Sequence, residues 1–250
     1  MFKRDRHNSI HKLLLSLDSK VLAQSKSFFG GGTAAALLLD EYRESVDIDF
    51  LCSSVDGFRI LRNCVSENSL GALLQGEVEQ LREVRLHRDK ISTFVKIDGF
   101  AVKVEFLLEG NIEISGYNDA RLGVPVLSKE DMYATKLMAN ADRGLDRSTL
   151  SRDLIDLAMM INRWGPIPAG AIEKAKRSYG EYLVSAFEKT IVLIRDQNHL
   201  AGCIQKMQMD PALASTIRDT LAHCNPFGVD RSQQEADDSA NDDEPPSPKG

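Results

Sequence analysis

At 250 residues, 42% of them hydrophobic, the chain can bury a sizeable core and suits one or two domains. Its four dispersed cysteines (Cys52, Cys64, Cys203, Cys224) argue against a zinc site or a disulfide-stapled scaffold. The net charge of −6 sits mostly in the last residues, where seven acids from Asp230 onward face Arg231 and Lys249, so the near-neutral body is no general nucleic-acid binder.

The first residues, with His7 and His11, read as a frayed polar surface, without the apolar run of a signal peptide. Residues 10–22 follow as an amphipathic helix and 27–29 as a strand. Gly30-Gly31-Gly32-Thr33 then makes a glycine-rich turn before a helix over 33–42. Backbone N–H groups at a helix N-terminus suit an anionic phosphate. This is not a P-loop, because no Lys-Ser or Lys-Thr follows at the required place. The apolar run around 28–39 is glycine-interrupted and too short to span a bilayer, which with the missing signal peptide predicts a cytoplasmic protein without a membrane partner.

Arg43-Glu44-Ser45-Val46-Asp47-Ile48-Asp49-Phe50 comes next. In an extended strand Asp47 and Asp49 would project together, roughly 6–7 Å apart, with Ile48 and Phe50 packed behind them. Two adjacent carboxylates repel unless a cation neutralises them, and a hard oxygen-seeking ion such as magnesium is the natural partner. Residues 57–67 and 70–75 read as helical. Residues 91–106 read as a hairpin about Asp98-Gly99, with Glu105 and Lys103 on the face opposite Val102, Val104 and Phe106. If that strand lies beside the Asp47–Asp49 strand, three carboxylates converge.

Pro125 marks the expected end of the sheet, and Ser128-Lys129-Glu130-Asp131 is a capping box opening a helix. Lys136 and Arg143 lie seven residues apart on nearly one helix face, ~10 Å between Cα atoms, a spacing that suits two phosphates of one triphosphate. The next helix, 150–162, would bury Leu150, Leu154, Leu157 and Ile161, with Gly165-Pro166 stopping it. On it Asp153 and Asp156 share a side; one could orient Lys136 or Arg143 and one could act as a general base, while an Arg152–Asp156 pair at i,i+4 is an equal alternative for Asp156. Residues 169–197 and 211–223 read as further helices, the second capped by Asp210 ahead of Pro211. The tail from 229 is polar and acidic, and reads as disordered. Taken singly, each feature also suits an ordinary turn, surface pair or solvated face; order and spacing carry the specificity.

Gly31-Gly32-Thr33, then Arg43-x-Ser45-x-Asp47-Ile48-Asp49-Phe50, then Lys103-Val104-Glu105-Phe106 resemble the minimal nucleotidyltransferase core of the DNA polymerase β superfamily. More narrowly they resemble the AbiEii/AbiGii toxin family. Lys136-Leu137-Met138-Ala139 with Arg143, and Arg152-Asp153-Leu154-Ile155-Asp156-Leu157, extend the resemblance over about residues 28–161. It implies an α/β (α+β) fold: a nucleotidyltransferase domain with a mixed sheet over 1–125, a helical domain over 126–228, and the acidic tail over 229–250. Asp47, Asp49 and Glu105 would hold one or two magnesium ions. Gly31, Gly32, Thr33, Ser45, Lys136 and Arg143 would bind the nucleoside triphosphate, with Lys136 and Asp153 also catalytic and Arg43, Arg152 and Asp156 further members of the site. The implied acceptor is RNA, such as the 3′ end of tRNA, with a track for it at Lys174, Lys176 and Arg177, and the implied partner is an antitoxin. A small-molecule or protein acceptor, or a non-catalytic nucleotide-binding module, are the alternative readings.

Overall fold

The structure, a computed structural model, describes residues 1–76 and 78–229. The predicted tail lies outside the described residues, apart from Val229. Eight strands are described: β1 (Ser27–Gly30), β2 (Ile48–Cys52), β3 (Glu79–Gln80), β4 (Arg85–Leu86), β5 (Lys90–Ile97), β6 (Phe100–Leu108), β7 (Gly116–Asp119) and β8 (Val124–Leu127). They form one mixed sheet ordered β3-β5-β6-β2-β1-β8-β7, with β4 also paired to β5. The helices are α1 (Asp5–Leu15), α2 (Ser19–Gln24), α3 (Gly31–Leu38), α4 (Val55–Cys64), α5 (Lys129–Arg143), α6 (Arg152–Trp164), α7 (Ala169–Tyr179), α8 (Tyr182–Arg195), α9 (Gln197–Lys206) and α10 (Leu213–His223).

Alternation builds the centre of the sheet. Phe29 pairs with Phe50 across β1 and β2, and Phe50 with Phe106 across β2 and β6. The three rings pack in a row, with centroids 5.6 and 5.3 Å apart, all fully buried. Because successive side chains face opposite ways, this row commits Gly30, Asp49 and Glu105 to the other face. The hairpin forms as the sequence predicts: Asp98 and Gly99 take positive φ (48° and 86°), matching the twist of the strands they join. A single buried apolar cluster runs from the sheet into the helices.

Several expected boundaries move. The helix expected over 10–22 is two helices, because Leu17 bridges to Leu74 and Asp18 caps α2 by accepting from the Lys20 and Val21 N–H groups. α1 starts at Asp5, and His7 is fully buried rather than frayed. The helix expected over 33–42 runs Gly31–Leu38, and Asp40 and Glu41 leave it with positive φ. The sheet does not end at Pro125, which lies inside β8; Val126 pairs with Phe29 and Asn118 with Pro125. Of the segment expected to be helical over 70–75, only a 3-10 turn at Gly71–Leu73 forms.

Ser128 caps α5 as expected, accepting from Asp131 N–H at 3.1 Å. α6 starts two residues late, since Leu150 and Ser151 are left-handed, and Gly165 (φ 99°) ends it. Gly180 (φ 57°) splits the long helix expected over 169–197 into α7 and α8. α9 was not expected. Asp196 opens it by accepting from Asn198 and His199 N–H.

Candidate active site

Asp49 sits in β2 with Gly30 as its neighbour on β1 and Glu105 as its neighbour on β6. The glycine turn folds directly over it. Gly31 has φ +68°, and a Cβ there would lie 2.6 Å from Asp49 Oδ2, so both backbone and space demand glycine. A Cβ on Gly32 would collide with the Arg43 guanidinium. Thr33 is buried with its hydroxyl 2.9 Å from that of Ser45. The N–H groups of Gly31, Gly32 and Thr33 are those of the first turn of α3, which have no partner inside the helix.

The three predicted carboxylates differ in state. Asp47 is exposed and precedes β2, so it does not share the ladder with Asp49 as an extended strand would require. Asp49 is pushed up to about 6 by burial first, then by Glu105 and Asp47. No hydrogen bond reaches its carboxylate among the described residues. Glu105 is buried, which raises its pKa, but Lys103 (2.7 Å) and Lys90 outweigh that and hold it below the usual carboxylate range. Among the described residues no three His, Cys, Asp or Glu side chains converge tightly enough to enclose a metal ion. Asp47 and Asp49 still fit a hard cation: their donors are all oxygen, and their mutual repulsion is uncompensated by hydrogen bonds.

The cationic helix meets the second aspartate motif in a buried ionic network. Lys136 Nζ contacts Asp153 Oδ1 at 2.9 Å and Asp156 Oδ2 at 2.6 Å. Arg143 Nε donates to Asp153 Oδ2 at 2.7 Å and Nη2 to Oδ1 at 3.1 Å. Arg43 grips Asp156, and the Tyr42 hydroxyl donates to it as well. Burial alone would raise both aspartates, yet the cations hold them well below the usual range. The same aspartates keep buried Lys136 charged.

Lys136 and Arg143 are therefore not two open cations. Lys136 is 5% exposed, whereas the Arg143 side chain remains 42% exposed. Arg152 does not pair with Asp156; it is exposed, and Arg43 takes that place.

A cleft of about 430 Å³ gathers these features. Gly31, Gly32, Arg43, Ser45, Asp47, Asp49, Glu105, Lys136, Arg143 and Arg152 all border it. Thr33, Asp153 and Asp156 are buried and do not border it. A family model described as the nucleotidyl transferase AbiEii toxin of a type IV toxin–antitoxin system matches residues 12–238. The chain belongs to that family.

One solved structure shows the fold of this AbiEii-family nucleotidyltransferase in another protein. JHP933 from Helicobacter pylori matches with a TM-score of 0.50 at 15% identity, over 97% of this chain and 99% of that one. A candidate nucleotidyltransferase from H. pylori matches at 15% identity with a TM-score of 0.49, over 86% of this chain and 92% of that one. No curated protein matches the sequence.

Other cations of this AbiEii-family chain are engaged away from the cleft. Lys174 binds Asp131 at 2.6 Å and Glu130 at 3.1 Å, tying α7 to the start of α5. Lys176 reaches Glu181 and the Phe227 ring, and Arg177 reaches Glu173. Lys174 is thus held by two acids, while Lys176 stays partly and Arg177 largely exposed. Sequence reading missed Tyr42, Lys90 and, on the cleft wall, Asp142 and Tyr179. Lys103, already read on the same strand face as Glu105, is the one partner of that carboxylate with a local signal.

Proposed function

We propose that this chain moves a nucleoside monophosphate from a nucleoside triphosphate to an RNA end, with magnesium held by Asp47 and Asp49. The observation that carries this reading is the contact of Gly31 with Asp49: phosphate-binding N–H groups and an unneutralised carboxylate stand together in one cleft. Magnesium, when bound, supplies Lewis-acid stabilisation of phosphoryl oxygens and favours a deprotonated attacking hydroxyl.

The chain's own groups supply the rest. The N–H groups of Gly31, Gly32 and Thr33 hold phosphate oxygens, and the Ser45 hydroxyl borders the same space. Arg143 offers its exposed edge to the charge that develops on the leaving pyrophosphate. Asp153 has both oxygens taken by Lys136 and Arg143, which suits an orienting role better than proton removal. Asp156 likewise orients Arg43 and Lys136. Glu105, neutralised by Lys90 and Lys103, would join a metal only by giving up those lysines.

What supports an RNA acceptor is exposed Arg152 on the cleft border, a cation that could meet a phosphate near a flexible terminal hydroxyl. A cognate antitoxin follows from the toxin–antitoxin family. A cytoplasmic location accords with these substrates, and among the described residues no helix is long and apolar enough to cross a membrane. The test is incubation with each labelled nucleoside triphosphate, magnesium and total RNA. Label in tRNA-sized species supports the reading, and Asp47→Asn and Asp49→Asn should abolish it. Label only in protein or a small metabolite would remove the RNA acceptor. Absence of label anywhere would leave a nucleotide-binding module.

A further inference from the structure

The cleft that holds the glycine turn has one aromatic side chain on its wall among the described residues, Tyr179. It is the last residue of α7, and Gly180 (φ 57°) ends the helix immediately after it. The Tyr179 hydroxyl donates to Asp142 Oδ1 at 2.7 Å, joining the end of α7 to the last turn of α5. Next to it, Ser178 donates to the Asn111 carbonyl at 3.0 Å, and Glu109 accepts from Asn111 N–H at 2.7 Å. The half-buried ring is thus tethered through its hydroxyl, and the helix end that carries it is tied to the segment after β6, before any ligand arrives. Asp142 Oδ2 takes no hydrogen bond among the described residues. The carboxylate end of the cleft is charged, and the apolar side chains bordering it there, Leu51 and Leu107, are aliphatic. Tyr179, with Ala139 and Met138 also bordering the cleft, is where it offers a flat aromatic surface.

We propose that Tyr179 stacks on the base of the nucleoside triphosphate and that Asp142 reads its edge, selecting bases that present an amino group. This rests on the reading of the cleft as a triphosphate site. A carboxylate only accepts hydrogen bonds. Adenine, cytosine and guanine each offer an exocyclic N–H to Asp142 Oδ2. Uracil flanks its single ring N–H with two carbonyl oxygens, whose lone pairs face the carboxylate unfavourably. The Tyr179–Asp142 hydrogen bond fixes both groups in advance, so little ordering is left for the nucleotide to impose.

Calorimetric binding of inorganic tripolyphosphate and of the four nucleoside triphosphates, with magnesium, separates the parts. Wild-type protein should bind the three amino-bearing triphosphates more tightly than either uridine triphosphate or tripolyphosphate. Tyr179→Ala should weaken those three about tenfold, as loss of a base–aromatic stack does, and leave tripolyphosphate unchanged. Tyr179→Phe, which keeps the ring, should retain most of the affinity. Asp142→Asn, able to donate to a carbonyl, should narrow the gap between uridine triphosphate and the others.

Equal losses for tripolyphosphate and nucleotides in Tyr179→Ala would show a structural role and overturn the assignment. So would an unchanged uridine penalty in Asp142→Asn. Intact triphosphate binding with weakened RNA labelling in Tyr179→Ala would place the ring at the acceptor instead, and the proposal fails. If wild-type protein binds tripolyphosphate but shows no base preference, the base site falls while the phosphate site stands. If it binds neither, both fall.

Discussion

Arg43 and Asp156, 113 residues apart in the chain, meet as a two-point ion pair, Nε to Oδ1 at 2.7 Å and Nη2 to Oδ2 at 2.9 Å. The pair fastens the segment leading into β2 to the middle of α6, and the same guanidinium backs onto Gly32. Asp156 is fully buried, so removing its charge leaves Arg43 and Lys136 short of an anion inside the protein. Breaking such a pair typically costs about 3–5 kcal/mol. Asp156→Asn should therefore lower the thermal midpoint by roughly 10 °C. An unchanged melting curve would show that the pair is not what holds α6 against the site.

Lys136 and Arg143 share Asp153 but should fail differently. Lys136→Met leaves Asp153 and Asp156 with less neutralisation in a buried place, so its main effect should be on the melting temperature. Arg143→Ala leaves Asp153 paired to Lys136 and removes the exposed cation. It should weaken triphosphate binding about tenfold with the smaller loss of stability. Melting and binding measured on both variants check the order, and a reversal would make Lys136 the phosphate ligand.

Asp49 carries a cost in the metal-free protein. Its folded pKa of about 6 lies above the ordinary aspartate value of 3.8, so the folded state holds the proton more firmly over that window. Stability from this group is full below the window, falls as pH rises through it, and remains reduced at neutral pH. The loss is about 1–3 kcal/mol after allowance for solvent screening. Asp49→Asn should accordingly melt several degrees higher than wild type at pH 7.5 without divalent ions, and no higher at pH 4. Magnesium should raise the wild-type midpoint at pH 7.5 and leave Asp49→Asn unmoved. A destabilised Asp49→Asn variant would contradict the repulsion argument.

His7 works in the opposite sense. It is fully buried, with Nδ1 2.8 Å from Glu41 Oε1 and Nε2 accepting the Ser45 N–H at 3.3 Å. Burial lowers its pKa more than Glu41 raises it. Below pH 6.5 the unfolded chain takes up a proton that the folded chain resists, so stability falls as pH drops from there. Denaturant titrations between pH 7.5 and 5.5 should show this slope, and His7→Gln should flatten it. An Asp49→Asn background removes the opposing contribution of that carboxyl. A slope that survives in His7→Gln would locate the titration elsewhere.

Features that depend on neighbours a few residues away were readable from the residues alone. Alternation placed Ile48 and Phe50 in the core and left Asp49 on the open face, because strand side chains repeat every two residues. Asp98-Gly99 dictated a hairpin turn through its positive φ angles, and Ser128 a helix start through its hydroxyl cap. The glycine turn was legible in the same way, whereas alternation gave the face of Glu105 and left open whether its strand lies beside that of Asp49, which the sheet order decides. Which charges meet depends on the folded packing. Asp156 has Arg152 four residues away and takes Arg43 from 113 residues away instead; Glu105 takes Lys90 from the next strand; Lys136 is closed off by two aspartates. Local spacing offers several cations to each carboxylate, and burial of one pairing in a low-dielectric interior selects among them.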